Sequence, residues 1–322
     1  MSEATGLGIL DIAILEACQN AGGDSGSADS GSAYLKTQRI LDALLESTGV
    51  GHRHAYEPLC DMARPWVSHL ALIDFHGNYG SPDFGPAAPR YTECRLTPLG
   101  AAALAAEQHS IGPLPIGLIN GNTHAGGTCP PLDPTRVLHA IRSASTLTDK
   151  ELPLTVGLPS FPTGCAVEGD IDAFASGSKT ELQLAARITE LAADQLHISH
   201  LAPNCSASQI ATNIQSRIER TSQSESKHSD QTQLADHRLS PPNIRDVNDH
   251  STSLTGTRLV VTVERGSSLA DARMFLDSIW GIRSSITVQL RRPIAELVRA
   301  IAESPAADLS QRLALIEAAI KA

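Results

Sequence analysis

Between Gly77 and Pro89 the sequence reads GNYGSPDFGPAAP, a stretch too rich in glycine and proline for a helix interior or a central strand. The chain must cross it as a loop. A short apolar run, Leu70–Phe75, leads in, and a helix-forming segment, Pro98–Gln108, follows. Tyr91 therefore lies on the loop or at its exit. By residue chemistry alone this tyrosine reads as a half-buried core residue with a hydrogen-bonded hydroxyl.

Before the loop, apolar spacing predicts a helix over Leu10–Ala17. NAGGDSGSADSGSA (Asn20–Ala33) then has the composition of a flexible linker. A second helix is expected over Tyr34–Glu46, with Leu35, Ile40, Leu41, Leu44 and Leu45 on one face, and a third over Tyr56–Ala63. The glycines at 49–51 between them are compatible with a helix-turn-helix.

Beyond the loop, Ile116–Ile119 reads as a short strand, and Asp133-Pro134-Thr135 opens a helix ending near Ser143. Leu182–Ile188 alternates as a strand does, and Leu196–Leu201 follows as another. Ser206 caps a helix over Ala207–Ile218, and the polar tract Thr221–His237 is expected to be disordered. RLVVTVE (Arg258–Glu264) is the strongest strand signal; a helix over Leu269–Ile279 and a strand over Ile286–Leu290 come next. Two helices from Pro293, broken at Pro305, complete the pattern. Small helices first, mixed elements next and helices last predict an α+β fold.

The chain has 322 residues and a formal net charge of −10, with charged residues at 19% and aromatics at 3%. That charge argues against a protein that merely coats nucleic acid, although a local basic groove on an acidic body remains compatible with it. The six cysteines form no CxxC pair, so scattered reduced thiols are expected rather than a zinc knuckle or a redox dithiol. The N-terminus lacks a basic n-region, and no apolar run approaches the roughly 20 residues that cross a bilayer. A cytoplasmic protein without a membrane partner is expected.

Several separated segments carry a resemblance. KTQR (Lys36–Arg39) enters a helix, followed by MARPW (Met62–Trp66), GNYGS (Gly77–Ser81) and PRYTECRL (Pro89–Leu96). ING (Ile119–Gly121), CPPLDPTRVL (Cys129–Leu138), LPSFPTG (Leu158–Gly164), IRDVND (Ile244–Asp249) and TRLVVTVERG (Thr257–Gly266) follow in order. The set, spanning residues 36 to 290, resembles the breakage-reunion part of the A subunits of DNA gyrase and topoisomerase IV, the type IIA DNA topoisomerases.

The resemblance implies an N-terminal helix and linker at 1–33 and a winged-helix-like DNA-binding domain with the active-site tyrosine at 34–110. It further implies a tower-like α+β domain at 111–290, interrupted by the tract 221–237, and a helical remnant of a coiled-coil arm at 291–322. Tyr91 becomes the nucleophile that attacks a DNA phosphodiester and leaves a 5′-phosphotyrosine link. Arg90 becomes the cation beside the phosphorane oxygens. His52 and His54, in an HRH triplet, match a supporting His-Pro-His of the family only with a four-residue gap. Two exposed loop histidines are the alternative, and a metal pair lacks a third ligand. Lys36 and Arg39, one turn apart on a helix, are placed for a phosphate backbone, or else form a solvated helix face. Arg64 and Arg95 are further candidate DNA contacts.

The implied partners are double-stranded DNA, a B-type subunit carrying the ATPase, and a second copy of this chain. No metal or nucleotide is expected on this chain; Mg²⁺ and ATP are expected on the B-type subunit. The sequence departs from the family where a base-wedging isoleucine is expected, since NTHAGGTC (Asn122–Cys129) has no Ile, Leu or Met. Most of the coiled-coil arm and the DNA-wrapping β-domain have no counterpart here. The alternative to a cleaving subunit is thus a degenerate paralogue that binds DNA or a B-type subunit without strand passage.

Overall fold

A computed structural model describes residues 5–22, 33–109, 114–124, 127–225, 244–252, 256–264, 266–303 and 306–321. Helices and small sheets alternate along the chain, so the fold is α+β. Two compact units emerge. The first is Met1–Pro162 with Gly169–Leu182 and Thr287–Ala322; the second is Thr163–Glu168 with Gln183–Ile286.

The first unit begins with α1 (Ile9–Ala21), which buries Ile14, Leu15, Ala17, Cys18 and Ala21. Asn20 and Ala21 therefore belong to a helix rather than to the expected linker, of which residues 23–32 lie outside the described residues. Next come β1 (Leu35–Lys36), α2 (Thr37–Thr48) and α3 (His52–Asp61). The helix expected from Tyr34 starts at Thr37, because Leu35 and Lys36 pair antiparallel with Cys94 and Glu93. α2 buries Ile40, Leu41 and Leu44 and ends on Gly49, whose left-handed φ of 75° lets its N–H reach the Leu45 carbonyl. The two helices are thus joined by a glycine turn, as the spacing predicted.

β2 (Ile73–His76) and β3 (Glu93–Leu96) complete an antiparallel sheet in the order β1-β3-β2, and the Gly/Pro-rich loop connects them. α4 (Pro98–His109) follows as expected. Ile116–Ile119 forms the one-turn helix α5 instead of a strand, with the Asn120 N–H closing on the Ile116 carbonyl at 2.8 Å. A four-residue apolar run carries no period that separates the two conformations. The Asn120 side chain donates to the Leu70 carbonyl and accepts from the Leu70 N–H, each at 2.8 Å.

β4 (Asn122–His124) and β5 (Gly127–Cys129) pair antiparallel. α6 (Pro134–Arg142) is capped by Asp133, which accepts the Arg136 N–H at 2.9 Å. α7 (Glu151–Val156) packs beside it and against α8 (Ile171–Ala175).

The second unit opens with β6 (Ala166–Glu168), antiparallel to the end of β7 (Thr180–Ala185). The strand expected over Leu182–Ile188 is two strands. Ala186 leaves the ladder to donate to the Ile282 carbonyl at 2.7 Å, and β8 (Arg187–Ala192) enters another sheet. Alternation reports faces, not sheet membership. β9 (Gln195–Ser199) pairs with β8; α9 (Ala207–Glu225), capped by Ser206, follows. Thr221–Glu225 continues this helix instead of being disordered, because extending a formed helix avoids the nucleation cost. The rest of the tract, from residue 226, lies outside the described residues. β10 (Ile244–Asp249) and β11 (Leu259–Val263) complete an antiparallel sheet in the order β10-β11-β9-β8, and every residue of β11 is buried. α10 (Leu269–Asp277) covers this unit's core, and β12 (Arg283–Val288) joins β7 and β6 in a third sheet, beginning three residues earlier than expected.

Back in the first unit, α11 (Ile294–Ala302) lays Ile294, Val298 and Ile301 against α6 and α7. Arg299 fastens it by donating to the Ala144 and Leu147 carbonyls and to Asp149. α12 (Ala306–Lys321) packs on α4 with Leu313 and Ile316 buried. Pro305 lies outside the described residues.

Candidate active site

Pro89, Arg90 and Tyr91 form a single 3-10 turn at the loop exit, closed by the Tyr91 N–H on the Ala88 carbonyl at 2.9 Å. A proline at its start presets φ for such a turn. The Tyr91 side chain is 66% exposed, which corrects the half-buried reading made from residue chemistry. The reversal happens within one peptide: Thr92, next in sequence, is fully buried while Tyr91 points to solvent. The Arg90 guanidinium carbon lies 4.7 Å from the centre of the Tyr91 ring, in cation–π contact.

Thr92 anchors the turn from below. Its hydroxyl donates to Thr37 Oγ1 at 2.9 Å, and its carbonyl accepts the Thr37 N–H at 3.1 Å, so the turn abuts the first residue of α2. Gly77 closes over the same residue: with φ of 101°, a Cβ there would sit 3.2 Å from Thr92 Cγ2 and 3.4 Å from the Tyr91 carbonyl. The loop is held by its own bonds as well. The Ala87 N–H reaches the Asn78 carbonyl at 2.9 Å, and Ser81 accepts from Phe84 and donates back to its carbonyl.

Arg64 enters from the segment after α3 and is only 8% exposed. Its Nε donates to the Tyr79 carbonyl at 2.8 Å, and its Nη1 donates to Glu57 at 2.7 Å and Asp61 at 2.8 Å. Burial pushes the Asp61 carboxyl up despite this guanidinium. Arg64 is therefore a buried anchor of the loop. Tyr79 stacks on Trp66 and meets Phe75 edge-on.

The other expected cations are engaged on the outer face of the small sheet. Lys36 lies on β1 rather than on a helix, and its Nζ is 3.0 Å from Glu93. It does not share a helical face with Arg39, which sits exposed in α2. Arg95 donates to Asp74 Oδ2 through Nε at 2.9 Å and Nη2 at 2.8 Å, and its guanidinium covers the Tyr34 ring at 4.3 Å. Tyr34 donates its hydroxyl to the same carboxylate and stacks on His76. Burial pushes Asp74 up, but donors from Tyr34 and Arg95 and nearby positive charge outweigh it and hold the carboxyl below its usual range.

The two histidines are on a helix, not a loop. His52, the first residue of α3, lies 3.3 Å from Gln38 Nε2 and 3.1 Å from Asp42 Oδ1, facing α2. Two positions along a helix turn about 200°, so His54 faces away from it and is exposed. The pair does not converge on one atom. Among the described residues, no three His, Cys, Asp or Glu side chains come together as metal ligands.

Sequence reasoning missed the part played by Tyr56. Its hydroxyl donates to the Ala87 carbonyl at 2.5 Å and lies 3.5 Å from Thr92 Oγ1. Burial pushes its phenol up to about 12. Reaches of 31 and 36 residues leave no local sequence signal for such a bond.

Within each unit, segments carrying the resemblance meet. In the first unit, Ser160 donates its N–H to the Pro131 carbonyl at 2.9 Å, and His69 contacts the Ser160 carbonyl at 2.7 Å. In the second, IRDVND is β10 and pairs with β11. No protein-family model matches the chain. Among curated proteins, the DNA gyrase A subunit of Mycolicibacterium smegmatis is 42% identical over 83 residues, covering 24% of this chain and 9% of that protein. The chloroplastic/mitochondrial DNA gyrase A subunit of Arabidopsis thaliana is 32% identical over 178 residues, covering 45% of this chain and 18% of that protein. For the DNA gyrase A subunit of Aminobacterium colombiense the values are 31% over 182 residues, 45% and 22%. The chain spans less than a quarter of the length of these relatives. Its similarity to the DNA gyrase A subunits is distant and partial.

Proposed function

We propose that this chain acts as an A-type subunit of a type IIA DNA topoisomerase, with Tyr91 as the strand-cleaving nucleophile. The observation that carries the reading is the exposed Tyr91 on a braced turn with Arg90 against its ring. Residues 34–110, with helices α2 and α3 beside a three-stranded sheet, fit a winged-helix-like DNA-binding domain. The part assigned to 111–290 is the tower-like domain.

In this reading the Tyr91 oxygen attacks phosphorus and forms a phosphotyrosine ester, while the bond from phosphorus to the 3′ oxygen breaks. The phenol proton ends on that oxygen as a 3′-hydroxyl. One phosphate ester replaces another, so resealing needs no outside energy source. Arg90 supplies positive charge where the phosphorane oxygens gain negative charge. The N-terminus of α2, adjoining the turn, favours a phosphate electrostatically. Mg²⁺ and ATP come from a B-type subunit, and a second copy of this chain cuts the opposite strand.

The test mixes the chain with a compatible B-type subunit, Mg²⁺, ATP and supercoiled plasmid, then traps cleavage with detergent. Wild type is expected to leave protein attached to 5′ ends, and Tyr91→Phe to leave none. Absent cleavage in wild type, or equal cleavage in both, overturns the reading. A second reading, a paralogue that binds DNA or a B-type subunit without strand passage, is favoured by one observation. Lys36, Arg64 and Arg95 are all ion-paired within the chain. DNA or B-subunit binding by a wild type that never cleaves would select it.

A further inference from the structure

We propose that Tyr56 is a positioning residue for Tyr91, its hydroxyl tying α3 to the backbone just before the nucleophile's turn and lying against the Thr92 side chain just after it. The inference rests on the strand-cleavage reading above. Ala87 precedes the turn and Thr92 follows it, and the Tyr56 oxygen lies 2.5 Å from the carbonyl of the first and 3.5 Å from the hydroxyl of the second. Thr92 is itself fastened to Thr37, so α2 fixes one end of the turn and the Tyr56 bond to Ala87 fixes the other to α3. At the far end of the loop Arg64 holds the Tyr79 carbonyl, so the segment carrying Tyr91 is gripped at two separated points.

The Tyr91 side chain stands largely in solvent, and its ring contact is with Arg90, which is also exposed. Its aim is therefore inherited from the backbone of the turn. Covalent attack requires the nucleophile within a narrow range of distance and direction, so a loosened turn lowers the rate of the chemical step more than it lowers DNA affinity. The tether suits that task because this half-buried phenol, pushed up to about 12 by desolvation, remains a donor throughout the neutral range.

The test compares wild type with Tyr56→Phe, which removes the oxygen and keeps the ring. Amide hydrogen exchange of the peptide covering 87–92 is expected to quicken about 5- to 10-fold, the scale of one lost hydrogen bond, with α2 and α4 unchanged. With a B-type subunit, the single-turnover cleavage rate is expected to fall by a similar factor while the DNA dissociation constant stays within about 2-fold. Unchanged exchange, loosening spread evenly over α2 and α3, or equal cleavage rates overturn the proposal. A wild type that leaves no adduct overturns the strand-cleavage reading, and this role with it. That result is distinct from wild type and variant cleaving equally.

Discussion

Arg64 offers the sharpest test of how the loop is held. Consider Arg64→Met, which keeps most of the stem and deletes the charge. The guanidinium is buried and makes three bonds, to Tyr79, Glu57 and Asp61. Breaking a buried charge pair costs about 3–5 kcal/mol, because the partner is left charged and dry. Here the carboxylate side chains are 55% and 43% exposed, so water recovers much of their solvation and the electrostatic share falls to about 2 kcal/mol. The orphaned Tyr79 carbonyl adds about 1 kcal/mol. A loss of about 3 kcal/mol at pH 7 shifts a urea midpoint down by about 1–2 M.

The pH dependence carries a definite sign. Burial already raises Asp61 in the wild type, and removing the cation that opposes it raises this folded-state carboxyl further. The variant therefore takes up protons at higher pH than wild type, and the stability gap closes as pH falls through the carboxyl range. We expect it to shrink to about 1–2 kcal/mol near pH 4. If Arg64 were a solvent-held cation waiting for DNA, the variant would lie within about 0.5 kcal/mol of wild type at both pH values. That outcome would refute the reasoning.

Two further substitutions probe neighbouring features. Gly77→Ala places a methyl at positive φ against the buried Thr92, and is expected to cost about 1–3 kcal/mol. An unchanged melting temperature would contradict the tight closure over the turn. Asp133→Ala deletes the cap of α6 and is expected to cost about 1 kcal/mol in denaturant melts, with Asp133→Asn restoring most of it. Equal losses for the two variants would argue that charge, not the accepted N–H, matters.

Local chemistry made part of this molecule legible. Asp133-Pro134 opened a helix and Gly49 closed one because those signals act through backbone within a few residues. The α+β class followed from the order of such segments. Strand partnership did not follow: nothing in Tyr34–Lys36 announces pairing with Cys94, so the start of α2 was placed three residues early. The site divides in the same way. The Gly/Pro composition located Tyr91 at a loop exit, but its exposure depends on which of two adjacent residues, Tyr91 or Thr92, the turn rotates inward. Residue type is blind to that choice, and only the resemblance favoured an accessible hydroxyl. The sequence also held a clue to how Arg64 is engaged. Glu57 and Asp61 precede it by seven and three residues, the spacing of one helical face, so its charge had partners before any DNA arrived.

The Asn120 side chain has a consequence of its own. By giving and taking one hydrogen bond with Leu70, it imitates a strand neighbour and splices two segments 50 residues apart without a strand. An asparagine followed by glycine, as here with Gly121, is the pair most prone to lose its amide nitrogen through cyclisation onto the next backbone nitrogen. Both bonds hold the amide in place and slow that ring closure. Once ageing converted it to a carboxylate, the donor to the Leu70 carbonyl would vanish, and the splice could not re-form. The chemical lifetime of the first unit is thus set in part by how seldom this junction opens.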